Sequence, residues 1–192
     1  MTVKLMAFAA STRRDSFNRK LFPYLVEGAQ QAGAEVTVVD LADYPMAIYQ
    51  GDDEAERGMP ESAVKLLDIL AEQDGLIVVT PEYNGSFPPL LKNTLDWMSR
   101  PDPSGQSGLR HFKDKVAAIS SASPGGFGGV RSLLSTRQYL TVLGMLVIPD
   151  QVTLSRAGQA FDGNGKLTDE RTAAAALAVG ARLVEVAGRL RG

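Results

Sequence analysis

The strongest constraint on the fold is a repeated alternation of short, almost continuously apolar runs with longer segments of helical periodicity. The short runs are rich in β-branched and aliphatic residues, which is typical of strands buried on both faces of a parallel sheet. The strands predicted in this way span residues 3–9, 35–39, 76–80, 116–121 and a part of 145–154. Pro149 is expected to bend the last of them.

Helical segments separate these strands. Apolar residues at helical spacing predict helices over residues 18–32, 60–71, 88–99, 130–143 and 168–191. Thr168 is expected to cap the last helix, which has acidic residues in its first turn and arginines in its last. Residues 41–59 are predicted to be irregular. The strand–helix order, repeated five times, predicts a doubly wound α/β fold, in which one five-stranded parallel sheet has helices on both faces and residues 1–192 form a single domain.

The amino-acid composition argues against several classes of functional site and partner. The chain has 192 residues, no cysteine, a single histidine (His111) and a formal net charge of -2. The absence of cysteine excludes disulfides, iron–sulfur clusters, thiolate nucleophiles and the common structural zinc sites, so no metal is expected. The small net charge gives no reason to expect a nucleic acid or an anionic membrane as a partner.

No targeting segment or membrane span is predicted. Residues 1–8 lack the basic stretch and long apolar run of a signal peptide, and no apolar stretch approaches the roughly 20 residues that span a bilayer. We therefore expect a cytoplasmic protein, and the lack of cysteine suits that reducing compartment.

Three polar segments follow predicted strands, at residues 10–18, 81–86 and 121–129. In a doubly wound sheet, ligands bind beyond the carboxyl ends of the strands, where the strand order reverses. These segments are therefore the candidate ligand site. Neither G-x-G-x-x-G nor G-x-x-x-x-G-K-[ST] occurs in the chain, so neither a Rossmann dinucleotide site nor a P-loop is predicted.

The first segment lies between a strand and a helix N-terminus, whose free N–H groups and partial positive charge attract anions. Ser11, Ser16 and Asn18 add side-chain donors, and Arg13 adds a cation. This set suits a phosphate monoester and, without a dinucleotide motif, a mononucleotide. A hydroxyl-rich helix cap with exposed arginines explains the segment equally well.

The second and third segments combine glycine with aromatic residues. Tyr83 and Phe87 flank an Asn-Gly turn and offer aromatic edges to a planar ring, although they also suit a turn whose aromatics fill the core. Four glycines within residues 125–129 allow the backbone to lie along a ring edge and to stabilise negative charge there. A mobile linker is the alternative for that segment.

At these segments the chain resembles the NADPH-dependent FMN reductases, a flavodoxin-like family that includes quinone, chromate and azo-dye reductases. The longest match is Pro81-Glu-Tyr-Asn-Gly-Ser-Phe-Pro-Pro-Leu-Leu-Lys-Asn-Thr-Leu-Asp-Trp-Met-Ser-Arg100. Ser11-x-Arg13-x-x-Ser16-x-Asn18 is similar to the family's phosphate loop, and Ser121-Ala-Ser-Pro-Gly125 with Gly128-Gly129-x-Arg131 is similar to its third block. Ala10 stands where the family usually has glycine, which bears on affinity rather than on the identity of the ligand.

The resemblance implies a flavodoxin-like sheet of order 2-1-3-4-5 with FMN as cofactor and NADPH or NADH as co-substrate. It implies that the FMN phosphate lies on the first segment, at Ser11, Arg13, Ser16, Phe17 and Asn18. It places the isoalloxazine beside Pro81, Glu82, Tyr83, Asn84 and Gly85, with Ser121, Ser123 and Gly125 near its far edge. It also implies a homodimer or homotetramer. We interpret Lys92, Asn93, Asp96 and Trp97 as packing, capping and interface residues.

The expected activity is hydride transfer from NAD(P)H through FMN to a small acceptor such as a quinone, a flavin, an azo or nitro compound or chromate. Because the flavin carries the chemistry, no catalytic side chain is expected. A flavodoxin-type electron carrier is the alternative, although Arg13 and the weak net charge are untypical of one. A Ser-His-Asp hydrolase would need His111 and a G-x-S-x-G elbow, and that elbow is absent.

Overall fold

The computed structural model describes residues 2–191. The strands are β1 (Lys4–Ala9), β2 (Glu35–Val39), β3 (Gly75–Val79), β4 (Val116–Ala122), β5 (Leu146–Val147) and β6 (Thr153–Leu154). The α-helices are α1 (Phe17–Gln31), α2 (Gly51–Arg57), α3 (Glu61–Ala71), α4 (Pro89–Ser99), α5 (Val130–Val142) and α6 (Glu170–Leu190). Within residues 2–191, no helix combines the length and the apolar character that crossing a bilayer requires.

The sheet is parallel throughout and has the order β2-β1-β3-β4-β5, with β6 also paired to β4. The predicted flavodoxin-like α/β fold is therefore confirmed. The predicted fifth strand is divided in two around Pro149. Its first part pairs with the start of β4 (Val116 opposite Leu146), and its second part pairs with the end of β4 (Ser121 opposite Thr153). Proline has no N–H to donate to the ladder, which accounts for a break at this position.

Helices cover both faces of the sheet because the side chains of each strand alternate between them. In β1, Leu5 and Ala7 pack under α1 and α6, whereas Met6 and Phe8 pack under α3, α4 and α5. The α1–α6 contact is close. A Cβ at Gly180 of α6 would overlap the backbone of α1, so this position requires glycine.

Two predictions of local structure are wrong. Residues 41–59 contain a 3₁₀ turn at Leu41–Asp43 and the helix α2. The Gln50 side chain caps α2 by accepting hydrogen bonds from the first backbone N–H groups of the helix, and three acidic residues in that turn complement the helix dipole. Asp169, not Thr168, caps α6, because its carboxylate accepts hydrogen bonds from the N–H groups of Arg171 (3.3 Å) and Thr172 (3.1 Å).

Candidate functional site at the carboxyl edge of the sheet

The loops after β1, β3 and β4 meet at one edge of the sheet, because the carboxyl ends of these parallel strands coincide. The N–H of Ala10 donates to the Val79 carbonyl (2.8 Å), and the N–H of Thr80 donates to the Ser120 carbonyl (2.9 Å). A cleft of about 360 Å³ lies between the first two loops. Its lining consists of Ala10, Ser11, Thr12, Arg13, Tyr83, Pro88, Pro89 and Leu90.

The N-terminus of α1 opens at this edge with free backbone donors. The first hydrogen bond within the helix runs from the Lys20 N–H to the Ser16 carbonyl (3.1 Å). The N–H groups of the three residues between them therefore have no acceptor in the helix. Together with the helix dipole, these donors form an anion site.

Two serine hydroxyls beside this helix end are without partners. Ser11 is 7% exposed and Ser16 is 2% exposed, and neither side chain makes a hydrogen bond to another of residues 2–191. Neither hydroxyl oxygen is sealed off, since Ser121 Oγ is the one fully buried side-chain N or O atom without a hydrogen-bond partner within residues 2–191. Both hydroxyls are therefore open to oxygen atoms of a ligand. The exposed Arg13 guanidinium lies 5.5 Å from the Phe17 ring centroid and has no carboxylate partner in the described chain. Two hydroxyls, a helix end and a cation together fit a phosphate group.

The side chain of Asn18 is committed to β4. Its amide N–H donates to the Ala122 carbonyl (2.9 Å), and its amide oxygen accepts the Ala122 N–H (2.9 Å). Asn18 is 3% exposed, so these are buried hydrogen bonds that join the start of α1 to the end of β4. Only the second amide N–H is left for a ligand.

Phe17 is not among the residues that line the cleft. It stacks on Phe161 with the ring centroids 6.2 Å apart and the planes 4° from parallel. The C-terminal segment around Gly158 lies against the same ring. The backbone N–H of Phe17 belongs to the open end of α1, and its ring packs on Phe161 and beside Arg13.

The loop after β3 contains a tight turn at Tyr83–Ser86. The N–H groups of Tyr83 and Ser86 donate to each other's carbonyls (2.8 and 3.1 Å). Both central residues, Asn84 (φ 52°) and Gly85 (φ 84°), are left-handed, which identifies a type I′ turn and explains the Asn-Gly sequence. The N–H groups of Asn84 and Gly85 have no acceptor among residues 2–191, so they are available to a ligand.

The two aromatic residues of this loop separate. Tyr83 is 52% exposed and lines the cleft. Phe87 instead stacks on Tyr139, with the centroids 5.3 Å apart. Phe87 thus packs in the interior, as one of the two interpretations expected. Tyr83 is left as the residue that can offer an aromatic edge to a planar ring.

The carboxylate of Glu82 is held by α5. Its Oε1 accepts a hydrogen bond from Arg131 Nε (2.8 Å), and its Oε2 accepts the N–H of Ser132 (3.4 Å). The Ser132 hydroxyl donates to the Pro81 carbonyl (2.9 Å). The Glu82 side chain is only 8% exposed and its contact is with α5, and neither Pro81 nor Glu82 is among the residues that line the cleft. The sequence signal for this pair was Arg131 within the third matching block, but no spacing rule connects Arg131 to Glu82.

The loop after β4 is anchored rather than mobile. Ser123 Oγ accepts the Gly125 N–H (3.2 Å), and the Gly125 carbonyl accepts the N–H of Arg156 (3.1 Å). A Cβ at Gly128 would lie 2.7 Å from the Thr153 backbone, so the loop is packed tightly on β6. Ser123 and Gly125 therefore have fixed positions beside the cleft edge of β4.

Ser121 is completely buried beneath this loop. Its Oγ has no hydrogen-bond partner, and it lies so close to Gly129 (φ 85°) that a Cβ there would overlap it. The Ser121 side chain is therefore covered by the glycine loop. Above it, the N–H groups of residues 126–129 have no acceptor among residues 2–191 and form a row of donors.

The remaining candidate residues do not line the cleft. His111 precedes β4 at the amino edge of the sheet, opposite the ligand loops, and burial lowers its pKa. The α4 residues do make packing contacts: Asn93 and Trp97 donate to the Ala47 carbonyl (both 2.9 Å), and Asp96 accepts the Tyr139 hydroxyl (2.6 Å). In residues 2–191, no group of three or more potential metal ligands is present.

Comparisons with known proteins agree with this geometry. The sequence model described as "NADPH-dependent FMN reductase" matches residues 3–159. A quinone reductase of Pseudomonas putida is 38% identical over 162 residues, which cover 83% of this chain and 82% of the relative. A 2-hydroxy-1,4-benzoquinone reductase of a Burkholderia species is 33% identical over 173 residues, covering 90% and 89%.

A solved structure supports the same conclusion. The flavoenzyme NAD(P)H:(acceptor) oxidoreductase FerB of Paracoccus denitrificans superposes with a TM-score of 0.81 at 27% identity, and 98% of each chain is covered. This chain therefore belongs to the NADPH-dependent FMN reductase family, as an oxidoreductase that uses FMN and NAD(P)H to reduce a small acceptor.

Proposed function

We propose that this protein is an NAD(P)H:quinone oxidoreductase that holds FMN in the cleft at the carboxyl edge of its sheet. One observation carries the site assignment. The unpaired hydroxyls of Ser11 and Ser16 flank the open N-terminus of α1, and the cleft that Ser11 lines is also lined by Tyr83 of the Tyr83–Ser86 turn. The cleft thus offers donors for a phosphate at one end and for a ring edge at the other.

In this proposal, Ser11, Arg13, Ser16 and the first N–H groups of α1 hold the FMN phosphate. Asn18 keeps this loop in register with β4 through Ala122 and contributes at most one further N–H. The ring lies along the backbone of residues 81–85, with Tyr83 at its side. Ser123 and Gly125 border the far edge, and Ser121 supports the glycine loop from below.

Bound FMN supplies hydride acceptance from NAD(P)H and two-electron donation to the acceptor. The chain's own contribution is position and charge. The N–H groups of Asn84 and Gly85, and those of residues 126–129, have no acceptor among residues 2–191 and would donate hydrogen bonds to the edge of a bound ring, where such donors stabilise negative charge. Overall, NAD(P)H and one proton convert a quinone into a hydroquinone and NAD(P)⁺.

A quinone is the acceptor class that the relatives favour, since both the Pseudomonas putida and the Burkholderia relatives carry quinone reduction in their names. The cleft suits such a substrate. It is open to solvent and presents the half-exposed Tyr83 ring, which offers a planar acceptor an aromatic contact.

We further propose that residues 1–192 act as one domain in a cytoplasmic homodimer or homotetramer, with no nucleic-acid partner or membrane insertion. The exposed apolar side chains of Leu134 (64% exposed) and Val142 (77%), both on α5, are available to a subunit contact. A cytoplasmic location supplies the NAD(P)H that the reaction consumes. Analytical ultracentrifugation tests the oligomeric state.

Anaerobic absorbance spectroscopy of the FMN-loaded protein tests the proposed function. We expect NADPH or NADH to bleach the flavin band rapidly and a benzoquinone to restore it. Stable FMN binding without bleaching by either nucleotide would favour the electron-carrier alternative. Bleaching without recovery on quinone would restrict the acceptor to another class, and no FMN binding would contradict the site.

A further inference from the structure

Arg131 of α5 touches both loops that flank the proposed ring site. Its guanidinium donates to the Glu82 carboxylate after β3, with a distance of 2.8 Å from Nε. The same guanidinium lies over the ring of Phe127, in the glycine loop after β4, 5.6 Å from the ring centroid. Phe127 is 72% exposed, so this contact lies at the surface of the molecule.

The Glu82–Arg131 pair is built into the packing of the edge. A Cβ at Gly129 would lie 3.9 Å from the Glu82 Cβ, so the two loops approach at ordinary contact distance here. The Ser132 N–H and hydroxyl add hydrogen bonds to Glu82 and to the Pro81 carbonyl. The Glu82 side chain is 8% exposed, whereas that of Arg131 is 59% exposed. Arg131 is thus the solvent-facing partner of a nearly buried carboxylate.

We propose that Arg131 is a positioning residue for the isoalloxazine site, and that its pairing with Glu82 fixes the spacing of the two loops and neutralises the carboxylate beside the ring. This inference rests on the proposed FMN site. It concerns the ring and not the phosphate, because the ion pair and the cation–π contact of Arg131 are with the loops after β3 and β4. Loss of Arg131 leaves a nearly buried, unpaired charge, which costs more than the pair itself contributes.

A positioning role for Arg131 has two consequences that a purely structural role lacks. The first concerns riboflavin, which has the ring of FMN but no phosphate. R131M should raise the dissociation constants for FMN and for riboflavin by the same factor. That factor is about fivefold for an ion pair with one exposed partner. R13A should weaken the binding of FMN but not that of riboflavin. R182M, which removes a surface ion pair on α6, is the matched control and should leave both dissociation constants unchanged.

The second prediction concerns the midpoint potential of bound FMN. R131M leaves an extra negative charge near the ring, disfavours the anionic reduced flavin and should lower the potential. E82Q leaves an extra positive charge and should raise it. The double variant E82Q/R131M should return the potential toward that of the unmodified protein. R131K should have a potential close to that of the unmodified protein.

The experiment is fluorescence titration with FMN and riboflavin, followed by reductive titration against dyes of known potential, on variants whose thermal unfolding confirms that they fold. Opposite potential shifts and equal weakening of the two flavins support the inference. Shifts of the same sign, or unchanged flavin affinity in R131M, would overturn it while the FMN site stands. No flavin binding by the unmodified protein would overturn the proposed function and this inference together.

Discussion

The side chain of Asn18 and the backbone of Ala122 exchange two hydrogen bonds of 2.9 Å, although 104 positions separate them in the chain. Both residues are buried. The pair joins the N-terminus of α1 to the end of β4, so the phosphate end and the far edge of the proposed FMN site share one rigid connection. The resemblance had implied a phosphate contact for Asn18, and its main structural partner is Ala122.

Substitution of Asn18 tests this connection. We expect N18A to lower the free energy of unfolding by about 2–3 kcal/mol, because two buried backbone groups lose their partners. Urea denaturation measures the loss. N164A provides the control, since Asn164 is exposed and its side chain makes no hydrogen bond to another of residues 2–191. Equal stability of the two variants would contradict the structural role.

Arg13 is expected to act on the phosphate alone. R13A should raise the dissociation constant for FMN about tenfold, the effect of losing one charge-assisted contact, and should leave riboflavin binding unchanged. Raising the salt concentration should weaken FMN binding less in R13A than in the unmodified protein. An equal effect of R13A on both flavins would place Arg13 at the ring instead.

Gly129 should tolerate no side chain. Its φ of 85° and its contact with Ser121 Oγ leave no room for a methyl group. G129A should therefore cost at least about 3 kcal/mol of unfolding free energy, from strain and overlap combined. G126A is the matched control in the same loop, because a Cβ there meets no atom within 4 Å. A stable G129A protein would show that the loop rearranges.

Glu54 should make stability depend on pH. Hydrogen bonds from Arg100 (2.9 Å from Nε to each carboxylate oxygen), assisted by the Tyr49 hydroxyl, hold the pKa of Glu54 below its ordinary value. A lowered pKa means that the stabilisation is present above the unfolded-state pKa and is lost as the pH falls through the folded-state pKa. Urea denaturation from pH 7 to pH 3 should show that the free energy of unfolding of E54Q falls less with acid than that of the unmodified protein. E56Q, at an exposed position of α2, is the control, and its free energy of unfolding should fall with acid as much as that of the unmodified protein.

His111 should be dispensable for the reaction. It lies at the amino edge of the sheet, whereas the cleft opens at the carboxyl edge. H111A is expected to retain the NAD(P)H oxidation rate of the unmodified protein with a quinone acceptor. A large loss of rate, in a variant of unchanged thermal stability, would reopen the hydrolase-like alternatives that use a histidine.

The sequence by itself determined the order of the elements and the edge at which the ligand loops meet. Apolar runs of strand length and helical spacing are local patterns, and right-handed crossovers convert their order into a parallel sheet. The Asn-Gly turn after β3 is equally local, because left-handed backbone at both central residues favours that pair. The side chain of Gln50, which caps α2, is a local signal that the prediction of an irregular 41–59 segment overlooked.

Only the tertiary structure decided which side chains face the cleft. Glu82 is paired with Arg131, Phe17 is stacked on Phe161, and Ser121 is buried beneath Gly129. Each partner lies far away in the chain, on an element that the fold brings close. Motif spacing identifies which residues reach the edge of the sheet. It does not identify their partners there, since contacts between separate loops depend on how the crossovers pack.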